Sequence, residues 1–235
     1  VFHLPELNMQ SWWASFLCLI TALVISSRLT ADDIASSAAL CSAFDRQIAH
    51  ARGWLAADDF KSLAQSAGGL ELLASIQSSQ SDDATWRDGS ASLIAAAKAV
   101  RLAADAEDAT AADGALTNLA TANAGMRKLV PSGQPLPPAK ANLRSAMLLM
   151  DSVRGEAKIA LITGNVENAK NQAYVLSELG RVVSNLRSGD RWASLSEEFT
   201  ATSLAAARSP AADSAELRPL FKAVSQRCDA CHDSR

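Results

Sequence analysis

Aromatic and β-branched side chains are scarce in this sequence. Of its 235 residues only 5% are aromatic, with a single Tyr, although 49% are hydrophobic. Alanine and leucine dominate that apolar content, while Val and Ile are sparse, which favours helices over strands. Positive charge is also limited: 22 Lys and Arg stand against 25 Asp and Glu, a net −3. The sequence holds no basic cluster, so nothing marks a nucleic-acid partner or an anionic membrane surface. Enzyme constellations are missing as well. There is no Ser/His/Asp set, no phosphate-binding Gly loop and no convincing carboxylate pair, so no enzymatic activity is expected. The run Asp105, Glu107, Asp108 reads as a solvated helix end. Cysteine is too rare for a disulfide scaffold, with four in all: Cys18, Cys41, Cys228 and Cys231. Cys41, alone, reads as a small buried hydrophobe.

Two of those cysteines form the most specific stretch in the chain, Arg227-Cys228-Asp229-Ala230-Cys231-His232. Cys-x-x-Cys-His is the attachment pattern of a c-type haem. The thiols become thioethers to the vinyl groups, and the adjacent imidazole is the proximal iron ligand. On a helix, residues three apart share a face, so Cys228 and Cys231 point the same way and His232 turns over the porphyrin plane. The plainer readings explain less. A structural zinc site needs four ligands, and no second Cys/His cluster supplies them. A thioredoxin-like pair belongs beside a βαβ pattern, which is absent. A disulfide between the two cysteines is geometrically open but leaves His232 without a role. His50 and His3 are poor alternative ligands.

Residues Trp12 to Ser27 carry no charge, and the uncharged run reaches back to Asn8 before Arg28 ends it. Its length fits both a signal h-region and a short membrane helix. A basic n-region and an A-x-A cleavage site are both missing. Residues 1–31 are expected to act as a signal peptide or a membrane anchor, and either exports the chain to the periplasm or another extracytoplasmic space. A buried core helix is the remaining alternative.

At this length the chain makes one large or two small domains. Four of the seven prolines fall within Pro131–Pro138, so helix cannot cross that segment and it reads as a semi-rigid linker. The parts on either side resemble each other. Trp86 and Trp192 lie 106 positions apart (192 − 86), and the same offset pairs Leu73 with Leu179, Leu70 with Leu176, Ala67 with Ala173 and Ala51 with Ala157. Leu55 then answers Leu161, and Phe60 answers Val166. Beyond the tryptophans, Leu116 and Leu119 answer Leu217 and Leu220 at an offset of 101. The pattern predicts helices at Asp33–Ala56, Phe60–Gln77, Trp86–Ala106 and Ala112–Leu129, then Lys140–Ile162, Val166–Leu186, Trp192–Ala207 and Ser214–Asp233. Asp213 and Glu216 form a prospective capping box, although Pro219 predicts a kink or a later start. Short connections imply antiparallel neighbours. The expected fold is all-α: tandem up-down four-helix bundles over 32–130 and 139–235, preceded by a hydrophobic N-terminal helix.

A bundle of this size with Cys228, Cys231 and His232 near the end of its fourth helix resembles the cytochrome c′ / cytochrome c556 family. Trp192 opening the third helix, the first-helix stretch Leu143 to Met150 and the turn Thr163-Gly164-Asn165 add to the likeness, which covers 139–235. Family members continue past the His with an aromatic and an Arg, whereas this sequence stops at Arg235. The resemblance implies one covalent haem c packed in the bundle, with its distal face against the first helix. Met at the distal position gives a six-coordinate, electron-transferring haem. An apolar residue there gives a five-coordinate haem that binds small gases such as NO and CO. Counting back from Gly164 by the family's first-helix length puts Leu148 at that position, with Met147 adjacent and Met150 one turn on. A one-residue register change exchanges a blocking Leu for a ligating Met. Both methionines also read as core filler. Arg144 resembles the family's basic residue beside a haem propionate, and reads equally as a surface Arg.

In the first half, the positions answering Cys228, Cys231 and His232 at the offset of 101 are Arg127, Val130 and Pro131, and Cys41 answers Met147. That half is expected to be a haem-free copy. By analogy with the family, whose members pair through their first two helices, the halves are expected to pack within the chain or between two chains. The leading functional expectation is an exported monohaem cytochrome passing single electrons to partner redox proteins. The alternative is a gas-binding or gas-sensing module, and a third is a structural role for the paired bundles.

Overall fold

Unbranched, alanine-rich segments that begin on Asp or Asn make this an all-helical chain. The computed structural model describes residues 37–129, 131–132, 135–137 and 140–233, and the described residues form eight helices and no strand. Helix α1 is described over residues 37–56. The others are α2 (Phe60–Ser78), α3 (Ala84–Asp105), α4 (Ala109–Met126), α5 (Leu143–Thr163), α6 (Val166–Ser184), α7 (Asp190–Ala207) and α8 (Ser214–His232). The expected leader helix lies outside the described residues. Among those described, no helix is long and apolar enough to cross a membrane.

Side-chain caps decide where the helices start. Asp59, Asp83, Asp108, Asn165 and Asp213 each accept a hydrogen bond from the backbone N–H three residues on, satisfying donors that have no partner inside the helix. Asp83 and Asp108 therefore begin α3 and α4 ahead of Trp86 and Ala112, where the apolar pattern alone put them. Asn142 caps the Arg144 N–H at 2.8 Å and starts α5 at Leu143 rather than Lys140. In α8, Glu216 also reaches back to the Ala212 N–H at 2.9 Å. The doubly held first turn lets the helix begin at Ser214 and continue through Pro219.

The local features recur along the chain. Asp58 and Gly164, 106 positions apart, end α1 and α5 in the left-handed region with φ of 54° and 75°. The caps Asp59 and Asn165 follow at the same interval. Trp86 Nε1 donates to the Gln77 carbonyl at 2.7 Å, and Trp192 Nε1 donates to the Val183 carbonyl at 2.9 Å. Leu70, Leu73, Ala67 and Ala51 are buried, as are Leu176, Leu179, Ala173 and Ala157. After the third helix the interval is 105 rather than 101, set by the caps Asp108 and Asp213 (213 − 108). Helix α7 is four residues shorter than α3, and the longer connection at 208–213 recovers most of the difference.

Helix α3 packs between α2 and α4. Helices α6 and α7 extend from α5, and α8 closes against both α7 and α5. Contact between α2 and α5 joins the two sets. Polar contacts along α1 and α5 reinforce it: Gln47 Nε2 donates to Ser152 Oγ at 2.8 Å, and His50 Nε2 lies 3.1 Å from Glu156 Oε1. Buried apolar side chains from all eight helices form one contiguous core, each leucine contributing about 1.5–3 kcal/mol. The proline-rich segment is fixed to the α2–α3 turn, since the Leu136 N–H donates to the Ser79 carbonyl at 2.8 Å and Ser81 Oγ donates to the Ser132 carbonyl.

Gly180 sets how closely α6 and α7 approach. A Cβ there would stand 2.9 Å from Phe199 Cδ1 and collide with Thr200 Oγ1, whereas a Cβ on Gly155 meets nothing within 4 Å. Gly180→Ala is expected to destabilise the protein by about 1–3 kcal/mol through overpacking. Gly155→Ala should stabilise it by up to about 1 kcal/mol through helix propensity. Urea unfolding midpoints of the two variants check both signs.

Candidate haem-attachment site

Helix α8 carries Cys228 and Cys231 on one face, and both line a cleft of about 270 Å³. Helix α5 contributes Met147, Met150, Asp151 and Arg154, whose spacing of three, four and seven residues from Met147 defines one helical stripe. Val183 comes from α6, and Leu195, Ser196 and Phe199 come from α7. His232, at the end of α8, lines this cleft and a second one of about 360 Å³ that it shares with Leu143, Met147, Arg187, Trp192 and Cys231. Met147 and His232 thus border both spaces. The Arg187 guanidinium lies 5.2 Å from the Trp192 ring centroid, a cation–π contact that holds the indole against the second cleft.

The expected residues are therefore divided. Cys228, Cys231, His232, Met147 and Met150 come together. Leu148 does not: it is 42% exposed and lines a separate pocket with His50 and Trp54. The helical turn explains this correction, because residues adjacent in a helix project about 100° apart. Arg144 is exposed and lines neither cleft. The cations at the cleft are Arg154, 3.3 Å from Asp151, and Arg227, 2.7 Å from Glu198. The α5 stripe from Met147 to Arg154 was readable from helical spacing. Ser196, Phe199 and Arg227 carry no comparable sequence signal.

Burial raises the Cys228 thiol to about 11, with Asp229, Asp151 and Cys231 adding to the effect and Arg154 opposing it. A redox-exchange cysteine requires the opposite, a lowered pKa, whereas a buried thiol with a raised one is inert as a free nucleophile. Among the described residues no three His, Cys, Asp or Glu converge as they would around a bare metal ion. The Ser196 hydroxyl is buried in the cleft wall without a hydrogen-bond partner, which fits a space that receives a group with polar edges. The donor set and the cleft are compatible with haem c.

In the first half the corresponding region is solid. The positions 106 before Met147, Met150 and Phe199 are Cys41, Phe44 and Leu93, all buried. At the interval of 105, Asn123, Met126 and Arg127 answer Cys228, Cys231 and His232, replacing Arg127, Val130 and Pro131 of the sequence alignment. Met126 is buried, and its Sδ lies 2.5 Å from where a Cβ on Gly89 would stand. Asn123 Nδ2 donates to the Cys41 carbonyl at 2.9 Å and to Asp45 Oδ1 at 2.8 Å, and Arg127 forms an ion pair with Asp45 at 2.5 Å. Comparison with protein-family models, with curated proteins and with solved structures returns no match for this chain.

Burial also raises the Cys41 thiol to about 11, the Arg127 charge opposing it. Both thiols have a higher pKa folded than their ordinary value of 9.0, so the unfolded chain binds fewer protons between those values. With thiols free, stability contributed by the pair is complete below about pH 9 and is lost as pH rises towards 11. Cys41→Ala and Cys228→Ala should each flatten the fall in urea midpoint over that range. An unchanged slope in both variants contradicts the assignment.

Proposed function

We propose that residues 139–235 form a c-type cytochrome module, a four-helix bundle resembling the cytochrome c′ / cytochrome c556 family, and that residues 32–130 are its haem-free copy. The observation that carries this reading is the convergence of Cys228, Cys231 and His232 on one apolar-walled cleft with Met147 and Met150. Cys228 and Cys231 would hold the haem as thioethers, His232 would be the proximal ligand and Met147 the sixth. Bound there, the haem supplies reversible one-electron Fe(III)/Fe(II) chemistry. Phe199, Val183 and Leu195 would pack apolar surface against the haem and tune its potential through burial. Arg154 and Arg227 place positive charge at its rim, the role expected of Arg144. The protein would be exported by its N-terminal apolar segment and exchange single electrons with partner redox proteins. The gas-binding alternative, a haem whose sixth site is open or blocked by Leu148, is the second reading, and the placement of Met147 instead of Leu148 at the cleft favours electron transfer over it. Contact between α2 and α5 within one chain supports the intrachain pairing of the two bundles that this reading expects.

Expression in a host that matures c-type cytochromes should yield a red protein with the mass of the polypeptide plus one haem, and a low-spin spectrum. Met147→Ala should give a high-spin, CO-binding form with a lower potential, because Met ligation raises it. Leu148→Ala should leave the spectrum unchanged. Loss of either cysteine should abolish the two-thioether attachment seen after acid–acetone extraction. A matured sample that stays colourless overturns the proposal.

A further inference from the structure

Helices α5 and α8 also enclose a groove of about 510 Å³ on the side next to the cleft, the two spaces sharing Asp151 and Arg154. Its floor is Leu161 and Phe221, and its walls carry Arg154, Lys158, Arg218 and Lys222. Four cations there face one carboxylate, Asp151, in a chain whose net charge is −3. The sequence conceals the cluster, since its two pairs lie some sixty residues apart and only the packing of α8 on α5 brings them together. Within each helix the cations stand at i and i+4, a like-charge arrangement that weakens a helix. Asp151 relieves Arg154, but Lys158, Arg218 and Lys222 make no ion pair among the described residues.

We propose that this groove is the docking face for an acidic patch on the partner redox protein, a proposal that rests on the haem reading above. Transient electron-transfer complexes use small contacts, and interfaces in general surround an apolar centre with a polar rim. Here Leu161 and Phe221 provide the centre and four cations the rim. Concentrated opposite charge guides an encounter without requiring tight binding. Because the groove shares a wall with the cleft, a partner held there sits beside the redox centre instead of across the molecule.

Two readouts separate this proposal from the haem reading. In the first, hexacyanoferrate(III) takes one electron from the reduced protein, giving hexacyanoferrate(II) while the haem iron passes from Fe(II) to Fe(III). Raising ionic strength from about 0.01 to 0.15 M shortens the screening length from about 30 to 8 Å, and the rate should fall by about tenfold. A chain acting through its net negative charge would show a rate that rises. The double variant Lys158→Glu/Lys222→Glu should reverse the salt slope. Lys61→Glu/Lys98→Glu, an equal change in net charge on α2 and α3, should preserve the slope's sign. In the second readout, the redox-inert paramagnetic anion hexacyanochromate(III) should broaden the amide resonances of residues 154, 158, 218 and 222 in the reduced protein before any others. A rate in the haem-loaded protein that rises with salt or ignores it, or broadening centred elsewhere, overturns the docking face. A colourless protein that still broadens at the groove overturns the haem assignment while supporting the cationic face. Binding to phosphatidylglycerol vesicles that both substitutions abolish, with no such salt effect on the rate, overturns protein docking in favour of a lipid surface.

Discussion

An indole has one N–H to place, and Trp86 and Trp192 each place it on a backbone carbonyl nine residues upstream. That carbonyl belongs to the last turn of the preceding helix, where intrahelical donors run out. The bond satisfies the buried indole N–H on a carbonyl that also takes a backbone N–H from the turn that follows, and it fixes the third helix of each set against the second. Once that hairpin is set, the remaining helices have limited freedom. The fourth must cover the exposed flank of the third, and the first must cover what is left. The architecture follows from where the tryptophans stand.

The same scaffold supports two opposite interiors. In the first set, Phe44, Leu93 and Met126 fill the space between helices, and Gly89 gives the methionine room. Asn123, Asp45 and Arg127 then close the end of α4 with hydrogen bonds to α1. In the second set, Cys231 and Cys228 are shorter than the volume they face, and Leu195 takes the position of Gly89. The result is a hollow bordered by thiols and thioethers. Filled cores are the usual outcome of selection for packing, so a hollow built on a scaffold that demonstrably packs solid is itself informative. Its walls are the ones on which the haem proposal rests.

Much of the helical layout was legible because alanine, leucine and the Asp and Asn caps are local signals. Helix starts taken from apolar periodicity were late at α3 and α4, where Asp83 and Asp108 cap earlier, and early at α5, where Asn142 decides. The spacing Cys228-x-x-Cys231-His232 stood out in the sequence, while the α5 residues that face it were harder to place. Counting along α5 from Gly164 favoured Leu148, yet the phase of Met147, Met150, Asp151 and Arg154 places the cleft-lining stripe one residue earlier. The alignment of α4 with α8 failed for a different reason. Matching leucines four residues out of step still matches one face of a helix, and only the caps fix the true interval. The cationic groove was invisible, because nothing in a linear sequence shows that residues 154 and 158 face 218 and 222.

The bond from Leu136 to Ser79 gives the proline-rich segment a mechanical role. Stitched to the α2–α3 turn through Ser132 and Leu136 and stiffened by Pro131, Pro135 and Pro137, its described part acts as a strut instead of a tether. A slack connection would leave the two halves searching a volume, at an effective concentration set by its length. A strut removes most of that search. The α2–α5 seam then closes at little further entropic cost.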